Sequence, residues 1–242
     1  MARIAFDDND AAAFAATRHI PDERLTDWRE AVARHLVPRP GMRLLDLGSG
    51  TGRWASAFTG WYGIDVVGVE PSAAMRSRSC HPDVRSGDAD AIPLEDASVD
   101  AAWLSTVIHH VPDLNRAARE LRRVVRPGGP VLIRSAFAGR HEAISLFRYF
   151  PEAIRVLDSY PSIADVETAF AAYGFARVAL EQVPQVTAES LRAAATAIRR
   201  EAHTPLQLIT DAEYAAGLSR LRAAARTGTG PVIDALDLLV LR

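Results

Sequence analysis

Apolar runs of about half a dozen residues alternate with amphipathic stretches through the first half of the chain. The apolar runs are Met42 to Leu47, Gly63 to Val69, Val99 to Leu104 and Val131 to Ser135. Between them, residues repeat at helical spacing. Leu25, Trp28, Val32 and Leu36 predict a helix over Asp22 to Leu36, broken by Pro38-Arg39-Pro40-Gly41. Further helices are predicted from Thr51 to Phe58, from Pro71-Ser72 through Met75, and from Leu114 to Val125, the last stopped by Arg126-Pro127-Gly128-Gly129. Val84 to Pro93 reads as a short strand and loop. Strands alternating with helices imply a parallel sheet covered on both faces, with ligands outside the carboxyl ends of its strands.

After Ser135 the pattern loosens. His141 to Leu157 reads as helical and carries Phe147, Tyr149 and Phe150. Tyr160-Pro161-Ser162 opens a helix to Tyr173, closed by Gly174, and Phe175 to Val183 reads as a strand. Ala188 to Ala202 and Asp211 to Ala225 are Ala/Arg-rich helices, followed by a turn at Thr227 to Pro231 and a last strand from Ala235 to Leu241. The expectation is an α/β fold with a doubly wound, mostly parallel seven-stranded sheet. Two helices inserted between the last two strands form a lid. The chain reads as a single domain, 1–242: an N-terminal arm and helix (1–40), a core (41–136), and lid helices with the final strands (137–242).

Composition narrows the partners. A net charge of −2 argues against a strongly basic nucleic-acid surface. All 28 Lys+Arg residues are arginine, which excludes a lysine nucleophile or Schiff base. The single cysteine, Cys80, permits neither an intrachain disulfide nor a cysteine metal cluster. No apolar run approaches a membrane span, and the Asp-rich start lacks a signal pattern, so a soluble cytoplasmic protein is expected.

The chain is organised around Leu44-Leu45-Asp46-Leu47-Gly48-Ser49-Gly50-Thr51-Gly52-Arg53. An apolar run ends in an acid, then glycines fall at alternate positions, then a helix begins: strand, tight turn, helix N-terminus. A dinucleotide fingerprint would need a third glycine where Arg53 stands, and a phosphate loop would need lysine. The motif D-x-G-x-G-x-G resembles the first motif of class I S-adenosylmethionine (SAM) dependent methyltransferases, a Rossmann-like family. The resemblance implies that Gly48, Ser49, Gly50 and Gly52 pass under the methionine part of SAM with Asp46 beneath them.

Glu70 lies 18 residues after Gly52 at the end of strand two, where a carboxylate can accept both ribose hydroxyls. An alternative is a helix-capping acid before Pro71. Gly87-Asp88-Ala89-Asp90 resembles the family's second motif, implying Asp88 on the adenine amino group and the Ala89 amide near the ring. Either aspartate could instead form a turn. Ser105 to Asp113 and the Arg126-Pro127-Gly128-Gly129 stop complete the match to the small-molecule branch of the family, over roughly residues 25–136. Ser105 and Arg18, in the arm, are further cofactor candidates.

His109 and His110 are the acid–base candidates, since imidazole titrates near neutrality. Packing on the cofactor is the alternative for one of them. Phe147, Tyr149 and Phe150 are candidates to line an acceptor pocket, or to pack their own helix. Arg148, with Arg155, Arg199 and Arg200, is a candidate for an anionic acceptor, although a solvated helix face suits most of these arginines better. No metal is expected, because strand four lacks a terminal carboxylate and there is no H-E-x-x-H pattern. The resemblance implies methyl transfer from SAM to a small molecule, with secondary metabolism as the expected setting, a hydroxyl as first choice and nitrogen or carbon close behind. Alternatives are a non-methylating enzyme of the same fold or a SAM-binding regulator. A monomer or homodimer, with no nucleic-acid or membrane partner, is expected.

Overall fold

The structure, a computed structural model, describes residues 22–242. Arg18 and the arm around it lie outside the described residues. A 3-10 turn at Asp22–Leu25 leads into α1 (Thr26–Leu36). β1 (Arg43–Leu47), α2 (Arg53–Tyr62), β2 (Asp65–Val69), α3 (Ala73–Arg76), β3 (Val84–Arg85), β4 (Ala101–Ser105), α4 (Leu114–Val124) and β5 (Val131–Ser135) follow in alternation. Then come α5 (Ser145–Tyr149), α6 (Ile154–Leu157), α7 (Ile163–Ala171), β6 (Arg177–Ala188), α8 (Leu191–Ala197), α9 (Thr204–Gln207), α10 (Asp211–Ala224) and β7 (Val232–Leu241).

Seven strands form one sheet in the order β3-β2-β1-β4-β5-β7-β6. β7 runs opposite in direction to the other six strands. The strand order reverses at β1 and β4, and such a switch point leaves a crevice at the carboxyl ends of the two strands. The doubly wound sheet expected from the alternation is therefore present.

Successive strand residues face opposite ways, so each strand feeds two cores. Leu44, Val66, Trp103 and Leu132 pack against Trp28, Val32 and Leu36 of α1 and Phe58 of α2. Leu45, Val67, Leu104 and Ile133 pack against Leu121 and Val124 of α4 and Phe170 of α7. A third, separate cluster holds Phe147, Phe150, Leu157, Leu206, Ile209 and Leu221, and it is the core of the lid. Its closest approach is at Gly217 in α10, where a Cβ would come within 2.0 Å of the Phe150 ring. Glycine weakens a helix interior, and here it lets the helix backbone lie against that ring.

Three expectations are revised. The stretch from His141 to Leu157 is not one helix: Pro151 starts a 3-10 turn that separates α5 from α6. β6 does not stop at Val183 but runs on to Ala188, which shortens the following helix to α8 and a 3-10 turn at Arg200–Ala202. Pro184 is tolerated because β6 lies at the sheet edge and pairs on one side only, Pro184 opposite Ala235. The lid insertion between the last two strands is present, with α9 as an additional turn of helix.

Candidate active site

The glycine loop leaves β1 and enters α2 with Gly48, Gly50 and Gly52 all at positive φ (72°, 56° and 75°), where a side chain is strained. The three positions differ in what surrounds them. A Cβ on Gly48 would come 2.3 Å from Val107, and one on Gly52 would come 2.4 Å from the Ser79 hydroxyl. A Cβ on Gly50 would meet nothing within 4 Å. Gly48 and Gly52 are thus required by packing, whereas Gly50 faces open space at the crevice.

Glu70 ends β2 and is 7% exposed. Its Oε2 accepts from the Gly50 amide and its Oε1 from the Ser72 amide, each at 2.9 Å. Burial pushes the Glu70 carboxyl up, and those two amides offset part of the rise. The helix-capping hydroxyl of α3 is that of Ser72, which accepts from the Met75 amide. Asp88 is exposed and close enough to Glu70 to raise its pKa, and its carbonyl accepts from the Ala91 amide. Ala89 is half-buried against the core. Asp90 faces Arg116 at 3.9 Å.

Asp46 is 1% exposed at the base of the loop. Burial raises its pKa from 3.8 to about 7, opposed by the Ala55 amide and helped by the charge of Glu70. Its Oδ2 and the Ser49 Oγ are buried polar atoms without hydrogen-bond partners among the described residues. Buried polar groups are nearly always satisfied, so two orphans beside an open glycine mark a place for a ligand.

β4 ends at Ser105, and the chain turns through Thr106 at φ 53°, a costly conformation for a β-branched residue. The Thr106 amide donates to the Arg134 carbonyl at 2.7 Å and its hydroxyl to the Ser105 carbonyl at 2.8 Å. A 3-10 turn, Ile108–His110, then presents both histidines. Their ring centroids are 4.1 Å apart, and the His109 ring stacks on Tyr160, also at 4.1 Å with an interplanar angle of 5°. Burial holds the His110 imidazole below its usual value, which favours the neutral form.

Both histidines line a cavity of about 320 Å³ together with Thr106, Phe147, Tyr149 and Phe150. Its far wall comes from the lid, including Leu191, Ile198 and Leu221. Gly48 touches Val107, so the glycine loop abuts the segment that carries the histidines.

Residues 45–133 match the methyltransferase domain family. Over that segment the chain is similar to the class I SAM-dependent methyltransferases. The ubiquinone/menaquinone biosynthesis C-methyltransferase UbiE of Caulobacter vibrioides is 36% identical over 121 residues, 43% of this chain and 48% of that protein. The chain thus spans about half the length of the curated relatives it matches. A crystal structure described as a methyltransferase from an antibiotic biosynthesis pathway of Anabaena variabilis superposes with a TM-score of 0.69 at 22% identity, over 93% of this chain and 99% of that one. The geranyl diphosphate C-methyltransferase of Streptomyces coelicolor, solved with Mg2+, geranyl diphosphate and S-adenosyl-L-homocysteine, gives 0.55 at 18% identity, over 88% and 77%. At such identities the shared property is the fold.

The residues of this core fit SAM. The cofactor is cationic at its sulfonium and ammonium groups, and the buried orphan carboxylate oxygen of Asp46 suits a cation. The open face at Gly50 leaves room for it, and Glu70, Asp88 and Ser105 stand after β2, after β3 and at the end of β4. Among the described residues, no three His, Cys, Asp or Glu side chains are grouped to hold a metal ion, and no helix is long and apolar enough to cross a membrane.

The candidate acceptor residues divide. Phe147, Tyr149 and Phe150 line the cavity while also packing the lid core. Arg148 does not belong with them: it is exposed, outside the cavity lining, with its guanidinium 5.9 Å from the Tyr149 ring centroid. The α5 turn points Phe147 and Tyr149 inward and therefore Arg148 outward. Arg155 pairs with Glu213, Arg199 donates to the carbonyls of Thr196 and Ile198, and Arg200 pairs with Asp211.

Among the lining residues that sequence reasoning missed are Tyr160, Arg134 and Gln185. Arg134 carried a signal, since it is the one charge in the apolar run Val131 to Ser135. Tyr160 read only as the start of a helix, and Gln185 lay beyond the expected end of its strand.

Proposed function

We propose that this protein transfers a methyl group from SAM to a small, largely apolar molecule through a hydroxyl whose proton the His109–His110 pair removes. The observation that supports the reading is the cavity lined by both histidines under an aromatic lid, with Val107 of the same segment against Gly48 of the glycine loop. SAM, when bound, supplies an electrophilic methyl on a positively charged sulfur. Glu70 holds the ribose end, Asp88 and Ala89 the adenine, and Asp46 with the Gly48–Gly52 loop the methionine end. Burial lowers the His110 pKa and so favours the neutral, proton-accepting imidazole, and a placed general base contributes about 10²–10⁴-fold. The lid side chains keep water from competing with the acceptor.

The acceptor atom is a hydroxyl oxygen in this reading. A second reading puts the methyl on carbon next to the ionised hydroxyl, and it is favoured by the C-methyltransferase names of the relatives. Both need the same proton removed, so both use the same base. The reading also includes a cytoplasmic location, a small-molecule acceptor only, and a monomer or homodimer.

The test is incubation with SAM carrying a 13C methyl group and a panel of phenols, quinols and enols. Formation of S-adenosylhomocysteine with a new methyl resonance supports transfer, and its chemical shift separates oxygen from carbon. SAM binding with no homocysteine product from any acceptor would leave the regulator reading in its place. A converted acceptor that gains no methyl group would point to a non-methylating enzyme.

A further inference from the structure

Gln185 and Arg134 face the same cavity from β6 and β5. Gln185 is 4% exposed, and its Oε1 accepts from the Arg134 guanidinium at 3.0 Å. A guanidinium has donors only, so this contact fixes which end of the amide is oxygen. The NH2 end is therefore turned away from Arg134, and it has no hydrogen-bond partner among the described residues.

Arg134 is itself a rigid support. Its guanidinium carbon lies 4.8 Å from the Trp28 ring centroid and 5.3 Å from that of Trp54. It also donates to the Ser105 hydroxyl at 3.2 Å. Two indoles, a hydroxyl and the guanidinium thus hold one amide in a single orientation. Leaving a buried donor unsatisfied is unfavourable, and a ligand that brings an acceptor would relieve it.

We propose that the Gln185 amide, positioned by Arg134, is the recognition group for a carbonyl-type oxygen on the molecule that occupies this cavity. The remaining wall is mostly apolar, with Phe147, Phe150, Leu157, Tyr160 and Leu191. The ligand class is a compact, largely apolar ring compound with a hydrogen-bond-accepting oxygen at one end. A volume of about 320 Å³ lies at the small end of the range for ligand pockets, roughly 300–1,000 Å³. This inference rests on the reading that the cavity holds the methyl acceptor, and it adds what that acceptor must carry.

The experiment uses two probes on one frame, 1-tetralone and tetralin, which differ by the carbonyl oxygen. Their binding to the full chain saturated with S-adenosylhomocysteine is measured by calorimetry. Wild type should bind the ketone about tenfold more tightly than the hydrocarbon, the value of one good buried hydrogen bond. Gln185→Glu keeps an oxygen for Arg134 and puts a second oxygen where the NH2 was. It should erase the preference while S-adenosylhomocysteine affinity stays within about twofold. Gln185→Leu, if it folds, should do the same. A wild type without the preference, or a Gln185→Glu variant that keeps it, would overturn the assignment while leaving the cavity's role intact. Failure of both probes to bind a protein that binds S-adenosylhomocysteine would overturn the cavity reading and the assignment together.

Discussion

The amide of Gly50 donates to the Glu70 carboxylate at 2.9 Å across 20 residues of sequence. The same carboxylate accepts from Ser72, so Glu70 ties the glycine loop of β1 to the end of β2. Glu70→Ala should therefore act twice, losing the proposed ribose contact and loosening the loop. SAM affinity should fall by about tenfold or more, since a hydrogen bond to a charged group is worth about 1.5–3 kcal/mol. Calorimetry checks this, and an affinity within about twofold of wild type would place the ribose elsewhere.

Gly50 and Gly48 should separate binding from folding. An added Cβ at Gly50 enters open space, whereas one at Gly48 collides with Val107 at 2.3 Å. Gly50→Val should weaken SAM binding severely with a modest loss of melting temperature, from about 1–2 kcal/mol of left-handed strain. Gly48→Ala should lower the melting temperature further, because collision adds to the same strain. The reverse ranking in thermal unfolding would mean that the open space at Gly50 is not the cofactor's.

Asp46 makes stability fall with pH. Its carboxyl titrates at about 7 in the folded chain against 3.8 unfolded. The unfolded chain therefore ionises first, and stability declines as pH rises from about 4 to about 7, then levels off. Asp46→Asn removes this loss and should be more stable than wild type at about pH 8, by roughly 1–3 kcal/mol, with little difference at about pH 4. The same variant should bind SAM poorly, because the cation has lost its anionic partner. Denaturant unfolding at the two pH values is the check, and a wild-type stability that is flat between them contradicts it.

Burial pushes the His110 pKa down, so the acid limb of the rate profile should lie below the ordinary imidazole pKa of about 6.5. His110→Ala should lower the rate at saturating SAM by about 10²-fold or more and remove that limb, with cofactor affinity nearly unchanged. His109, stacked on Tyr160, should affect acceptor affinity more than rate. If the double variant turns over near the wild-type rate, orientation alone drives the reaction.

Gly217 controls the seating of the lid. Its Cα lies against Phe150 so closely that a Cβ would come within 2.0 Å of the ring. Gly217→Val should displace α10 from α5 at a cost of about 1–3 kcal/mol. Acceptor turnover should drop by about tenfold or more while S-adenosylhomocysteine binding is retained, since the glycine loop lies in a different core. Equal loss of both would mean that lid and cofactor site are one cooperative unit.

The sequence by itself determined the alternation of strands and helices, the turn of three glycines and the acids at Asp46 and Glu70. Each is a local signal: a run, a spacing, or a residue at the end of a run. It also placed His109 and His110 after β4, because they follow its last residues within one turn. It did not determine which side chains meet across the lid. Arg148 sat among aromatic cavity residues in sequence yet faces outward, because a helical turn rotates each neighbour by about 100°. The Arg134–Gln185 contact joins residues 51 apart and depends on β7 threading between β5 and β6. The stacking of Tyr160 on His109 likewise depends on where the chain returns after α6. Such contacts are set by strand order and packing, which local periodicity does not encode, and they decide the shape of the cavity.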